Sequence, residues 1–168
     1  MSFDRKVQIA RMVSFPPVQS LMNWAIRLFV PRHRAGVILI CMDDQQRILL
    51  LRHVFHPNAP WGPPGGWLGR DESPAKCALR ELEEETGLSA ELGPVVQISY
   101  ESPPNQLAVA FLGKLKPGTM KLSSEIIEAE WFRADALPQP QYPFVRRAIL
   151  AAVNDYQRWQ MLEHESNE

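Results

Sequence analysis

Excess charge, cysteine and long apolar runs are what this sequence has little of. Eighteen Lys and Arg face nineteen Asp and Glu, for a formal net charge of -1. No global positive field recommends nucleic acid, so no nucleic-acid partner is expected. The two cysteines, Cys41 and Cys77, stand in unrelated contexts. They make neither a disulfide framework nor a zinc spacing, which fits reduced thiols and a cytoplasmic protein. No stretch approaches the ~20 apolar residues of a membrane-spanning helix. Arg5, Lys6 and Arg11 are followed by no continuous apolar run, so no signal peptide is expected. Internal repeats and low-complexity tracts are absent as well. What remains is 168 residues, 45% hydrophobic and 22% charged, an ordinary balance for one globular domain with its own core.

Fifteen prolines punctuate the chain, which predicts short elements and defined loops. Residues 18–30, "VQSLMNWAIRLFV", place Val18, Leu21, Met22, Ala25, Leu28 and Phe29 at helical spacing, and Pro31 stops the run. The pattern predicts an amphipathic N-terminal helix, docked on the domain or on a second copy. Its polar face lacks the Lys and Arg density of a membrane-surface helix, so membrane binding is not expected. The division is thus a helical extension over residues 1–31 and a domain over 32–168.

From Ala35 the pattern turns to strands. "AGVILICM" and "RILLLRHV" are apolar and β-branched runs around the polar turn "DDQQ", and they predict a β-hairpin in the core. "ELGPVVQISYE" and "QLAVAFLGKL" predict two more strands around "SPPN", and "AEWF" a short one. "YPFVRRAILAAVNDYQRWQML" predicts a C-terminal helix with Val145, Ala148, Ile149, Ala152 and Tyr156 on its apolar face. Strands before and after a helix, in mixed order, suggest an α/β/α or α+β sandwich.

One helix carries more than structure. Ser73 suits an N-cap, Pro74 the first helical position and Gly87 the stop. Between them, Ala75, Ala78, Leu79 and Leu82 form an apolar stripe. Beside it "RELEEETGL" crowds Glu81, Glu84 and Glu85 together, while Glu83 points elsewhere. Like charges at this spacing repel. A merely solvated face would mix signs, so the cluster calls for a cation among its oxygens. Mg²⁺ or Mn²⁺ suits hard carboxylate ligands and bridges to phosphate. Upstream, Gly65 and Gly66 permit a backbone group to approach a metal or phosphate closely, although Pro-Gly-Gly is also a plain turn.

Taken whole, residues 66–88, "GWLGRDESPAKCALRELEEETGL", resemble the signature of the Nudix hydrolases at Gly66, Glu72, Arg80, Glu81, Leu82, Glu84, Glu85, Gly87 and Leu88. The resemblance implies that family's α/β/α sandwich with a mixed sheet. It also implies Mg²⁺-dependent hydrolysis of a nucleoside diphosphate linked to another moiety. By that analogy Glu81, Glu84 and Glu85 hold the metal, with the Gly66 carbonyl as a further ligand. Arg80 orients Glu81 or Glu85, and Glu72 lies near the metal shell or anchors the loop onto the helix. Glu81 is the candidate base inside the signature; outside it Glu101, Glu125, Glu128 and Glu130 come into question, and Glu125, in the loop before "AEWF", is preferred.

The proline-rich loop "HPNAPWGPPGG" is expected to form part of the substrate cleft. Trp61 could stack on a base or pack under the loop, and Arg52 could contact phosphate. His53 and His56 are not expected to form a metal pair. Pro103, sixteen residues after Gly87, resembles the pattern of ADP-ribose pyrophosphatases, while its turn context suits a plain hairpin equally. The N-terminal helix resembles extensions that pack across dimers in nucleotide-sugar hydrolases, which implies a homodimer. Expected substrates are therefore ADP-ribose or a nucleotide sugar. The alternatives are oxidised nucleoside triphosphates, or nucleotide sensing without cleavage.

Overall fold

A computed structural model describes residues 15–29, 33–103 and 105–166. The chain divides into two units, Met1–Arg32 and His33–Glu168. The first contains helix α1 (Pro16–Phe29), opened by two prolines at positions where no amide partner is needed. The amides of Val18 and Gln19 donate to the Phe15 carbonyl. The expected stop at Val30 and Pro31 lies outside the described residues. Among the described residues, no helix is long and apolar enough to cross a membrane.

The second unit runs β1 (Arg34–Cys41), β2 (Ile48–His53), β3 (Trp61–Gly62), β4 (Gly65–Trp67), α2 (Pro74–Thr86), β5 (Ala90–Glu101), β6 (Gln106–Leu115), β7 (Ile126–Phe132) and α3 (Pro143–Ser166). One sheet has the order β4-β1-β6-β5 and the other β3-β2-β7. β1 and β6 are parallel, in register from Arg34↔Gln106 to Cys41↔Gly113, and every other described pairing is antiparallel. The sheet is mixed, as expected.

Strand alternation divides the core in two. Val37, Leu39 and Cys41 of β1 face α2 and pack with Cys77, Ala78 and Leu82. Ile40 of β1 and Ala108, Ala110 and Leu112 of β6 face α3 and pack with Ala148, Ile149, Ala152 and Tyr156. Helices thus cover both faces of the strands, and the α/β/α class expected from the sequence holds. Burial raises both thiols, Cys41 to about 12 and Cys77 to about 11, so they stay protonated inside.

The expected hairpin of β1 and β2 does not form. The two strands belong to different sheets and meet only at the Met42↔Ile48 bridge. Both edges of β1 are taken by β4 and β6. Gly65 makes the β4 pairing possible, because a Cβ there would run into the Val37 carbonyl and the Ile38 Cα. The connecting turn is built on Asp43, whose carboxylate accepts from the amides of Gln45 and Arg47 and from Arg47 Nε at 2.7 Å. The expected β5–β6 hairpin does form. "AEWF" proves to be the end of the longer β7, which pairs with β2 and carries an irregularity opposite Arg52 and His53.

α2 is capped at both ends. Ser73 Oγ accepts from the Lys76 amide at 3.3 Å, and Gly87, at φ 68°, donates to the Glu83 carbonyl at 2.8 Å. Left-handed φ at this position is what glycine adopts without penalty. These caps set the phase of the helix and so the direction of its glutamates.

Candidate active site

The glutamates of α2 rise where the helix faces β4. Glu85 is buried at 7% exposure, although it is a carboxylate. Its Oε2 accepts from the Gly65 amide at 3.0 Å, and its own backbone carbonyl accepts from the Ser123 amide. Burial pushes its carboxyl up to about 8, against the Gly65 hydrogen bond. The charges of Glu81, Glu125 and Glu84 push the same way as burial. Glu81 lies against Gly66, where a Cβ would collide with its carboxylate, so only glycine lets backbone and carboxylate come this close. Burial raises the Glu81 carboxyl too, against the pull of Arg80.

Arg80 is the hub of the remaining charges. Its Nε donates to Glu72 Oε1 at 2.8 Å and its Nη2 to Glu72 Oε2 at 3.0 Å. Its Nη1 donates to Glu81 Oε1 and Glu84 Oε2, each at 2.9 Å. Glu72 also accepts from the Gly69 amide at 2.8 Å, and the Arg80 hydrogen bonds hold its carboxyl down at about 2. Glu72 therefore ties the loop before α2 to the helix. Arg80 touches Glu81 and not Glu85, so one of its two expected partners is present.

Of the α2 carboxylates, Glu85 has no cationic side chain among the described residues. His53 Nδ1 stands 3.5 Å from its Oε1. Burial and the neighbouring His56 lower the His53 ring to about 4, so that contact is no ion pair near neutrality.

A cleft of about 340 Å³ opens beside Gly65 and Gly66. Its floor is small and flat, because Gly36 of β1 and its register partner Ala108 of β6 face it. Trp61, His53 and Tyr142 stand around it, and Trp61 packs edge-on against Phe132 at 5.1 Å. At the end away from Gly65 lie Glu101, Pro103 and Gln106.

Trp61, Gly65 and Gly66 thus line the cleft, with Glu81 and Glu85 directly behind the glycines. Arg52 does not line it. Along β2 the alternation turns Leu51 inward and Arg52 outward, where Arg52 Nη1 meets Glu128 of the paired strand at 3.0 Å. The irregularity after Arg52 brings His53 into the cleft instead. Glu125 is exposed; its carbonyl accepts from the Val54 amide at 2.9 Å, and its charge reaches Glu85. His53, Tyr142 and Gln106 were not identified as cleft residues from the sequence, and Glu101 entered only as a candidate outside base. The histidine spacing and that strand-end glutamate were the signals.

The comparisons with known proteins bear on this arrangement. A family model, the NUDIX domain, matches residues 32–153. The chain belongs to the NUDIX family. An NAD-capped RNA hydrolase, NudC, of Vibrio atlanticus is 30% identical over 136 residues, covering 76% of this chain and 49% of that protein. The chain therefore spans about half the length of that relative. An ADP-ribose pyrophosphatase of Streptococcus suis superposes with a TM-score of 0.65 at 25% identity, covering 75% of this chain and 93% of the other. A NUDIX hydrolase of Nitrosomonas europaea gives 0.67 at 18% identity, covering 76% and 74%, which speaks for the NUDIX fold alone. These relatives are named as hydrolases, in keeping with an enzyme. The name of the Vibrio relative brings in RNA, at odds with the expectation of no nucleic-acid partner.

Among the described residues, no three His, Cys, Asp or Glu side chains are already gathered as a metal-binding set. Arg80 holds Glu81 and Glu84, and Glu85 turns to Gly65. The donor set nonetheless fits a hard divalent cation: oxygen ligands, crowded negative charge, and a buried carboxylate without a counter-charge. For Glu81, Glu84 and Glu85 to hold one cation together, Glu81 and Glu84 must turn from Arg80.

Proposed function

We propose that this NUDIX protein is a divalent-cation-dependent pyrophosphohydrolase. Its substrate on this reading is a nucleoside diphosphate joined to a second moiety, ADP-ribose or a nucleotide sugar first. The single observation that carries the reading is Glu85, a buried carboxylate at the glycine edge of the cleft, without a cationic side chain among the described residues and crowded by like charge. Nothing in the packing of a helix calls for such a residue, since an ionised carboxylate is costly to bury unpaired. A cation placed against a diphosphate removes that cost.

In this reading Glu81, Glu84 and Glu85, with the Gly66 carbonyl, hold Mg²⁺, or Mn²⁺ in its place. The bound cation would neutralise the diphosphate and lower the pKa of the attacking water. The chain's own residues do the rest. Gly65 and Gly66 admit the diphosphate close to the backbone. Arg80 keeps Glu72, and through it the loop, fixed on the helix while Glu81 and Glu84 move. A carboxylate takes the proton from the water as it attacks phosphorus. Glu81, against Gly66 at the edge of the cleft, and Glu125, exposed and near enough for its charge to act on Glu85, are the two carboxylates placed for that task. The products are a nucleoside monophosphate and the phosphorylated second moiety.

A second reading rests on the Vibrio relative. An NAD cap carries the same bond, a diphosphate between two nucleosides, so NAD-type ends on RNA belong among the substrates to be tried. The test is one panel, with and without Mg²⁺ or Mn²⁺: ADP-ribose, nucleotide sugars, NADH, NAD-capped RNA and oxidised nucleoside triphosphates. Metal-dependent release of a nucleoside monophosphate from a diphosphate-linked substrate supports the proposal. Tight nucleotide binding with no product from any compound would favour a sensor and sink it.

A further inference from the structure

Glu101, the last residue of β5, puts an acid among the walls of a cleft proposed to take a diphosphate. Its Oε1 accepts from Ser99 Oγ at 2.5 Å and from Arg147 Nη2 at 2.6 Å. Neither Ser99 nor Arg147 lines the cleft, so both bonds hold the carboxylate from outside it. Its Oε2 takes no hydrogen bond among the described residues and is not buried; the side chain keeps 20% of its surface exposed. We propose that Glu101 is a specificity-determining residue whose Oε2 accepts from the ribose hydroxyls of the nucleoside in the cleft and turns away a nucleoside that carries a phosphate on its 2′-oxygen. The inference rests on the reading of the cleft as a nucleotide site.

The sheet sets the distance. β4, β1, β6 and β5 lie side by side in that order. Gly65 pairs with Ile38, whereas Glu101 pairs with Gln106 and Gln106 with Arg34. Glu101 is thus three strands across and four residues along from Gly65, a diagonal of roughly 20 Å between backbones. The glutamate side chain spans part of that and a diphosphate beside Gly65 another part, which leaves the reach of a ribosyl arm. The same span removes Glu101 as a base for a water held at Glu81 and Glu85. Between the two ends Gly36 and Ala108 leave a floor without bulky side chains, and Trp61 and Tyr142 offer flat rings to a base.

An ionised carboxylate only accepts hydrogen bonds. Those from Ser99 and Arg147 hold the Glu101 carboxyl below the ordinary carboxylate range, so it stays charged near neutrality. Ribose hydroxyls donate, and an acidic side chain is the group that holds them in dinucleotide sites of other folds. A 2′-phosphate brings like charge in place of that donor, and like charges brought together across an interface cost several-fold to many-fold in affinity. A pair that only tied α3 to β5 would need neither a place in the cleft nor a free oxygen facing solvent.

The experiment compares ADP-ribose with 2′-phospho-ADP-ribose in Mg²⁺, for wild type, Glu101→Gln and Arg147→Gln. Wild type is expected to favour ADP-ribose by about tenfold or more in kcat/KM, and Glu101→Gln, of the same shape but uncharged, to bring the preference within about threefold. Glu101→Ser replaces it should Glu101→Gln not fold. Arg147→Gln keeps the carboxylate and is expected to keep the preference, whereas a merely structural pair would move stability in both variants and preference in neither. Equal rates in wild type, or a preference that Glu101→Gln retains in full, would overturn the assignment while leaving the hydrolase reading intact. Calorimetry with AMP and adenosine 2′,5′-bisphosphate tests the same point without turnover. AMP bound about tenfold more tightly by wild type and equally with the bisphosphate by Glu101→Gln supports the role of Glu101 even if nothing is hydrolysed. Equal affinities in wild type, or no binding of either compound, end it.

Discussion

The Gly65 amide donates to Glu85 Oε2 at 3.0 Å, joining the glycine edge of the cleft to the acidic helix across twenty residues of sequence. A glutamine at position 85 would keep that acceptor and lose the charge. Glu85→Gln is therefore expected to fold normally and to lower kcat by on the order of 10² or more, as removal of a metal-bound charge does. Glu84→Gln, at an exposed position, is expected to do the same to activity with no change in melting temperature. Circular dichroism and turnover in Mg²⁺ check both, and near-normal turnover in either variant refutes the assigned role.

Glu85 also sets a pH dependence for the metal-free protein. Its folded-state pKa, about 8, lies above the ordinary carboxylate value of 4.5. Between those values the unfolded chain has lost the proton and the folded chain still holds it, so stability falls as pH rises from about 4.5 to about 8 and levels off above. The loss is on the order of 3–5 kcal/mol. Denaturant unfolding in chelator at pH 5.5 and pH 8.5 should show it. Glu85→Gln should flatten the slope, and added Mg²⁺ should stabilise wild type more at the higher pH.

At Gly66 a side chain would displace the Glu81 carboxylate from its place against the backbone. Gly66→Ala would place a methyl group against the Glu81 carboxylate. The variant is expected to lose more than tenfold in kcat/KM, with a melting temperature within a few degrees of wild type. Steady-state kinetics beside a thermal melt would reveal it. Full activity would mean that Glu81 does its work from elsewhere.

The N-terminal helix is proposed as a dimer arm. Removing residues 1–30 is expected to shift the protein from dimer to monomer in light scattering, and an unchanged mass would remove that role.

Much of the acidic helix was legible because its signals are local. Ser73, Pro74 and Gly87 mark its ends within a few residues of themselves, and once the ends are fixed a period near 3.6 puts Glu81, Glu84 and Glu85 together. The strands were legible as strands but not as neighbours. The run around Leu39 is apolar on both faces and carries no mark of which strands lie beside it, so a hairpin with β2 was the simplest guess; the partners of β1 are in fact β4 and β6. Arg52 was misplaced for a related reason. One irregularity after it decides which side chain enters the cleft, and nothing in "LLLRHV" announces it.

Titration of Mn²⁺ into the protein with nucleotide present, followed by calorimetry, addresses the acidic cluster most directly. Wild type is expected to take up the ion and release protons, because Glu85 gives up its own on binding. Glu84→Gln and Glu85→Gln are expected to bind at least tenfold more weakly. Absence of uptake by wild type, or uptake that both variants retain in full, would contradict the account.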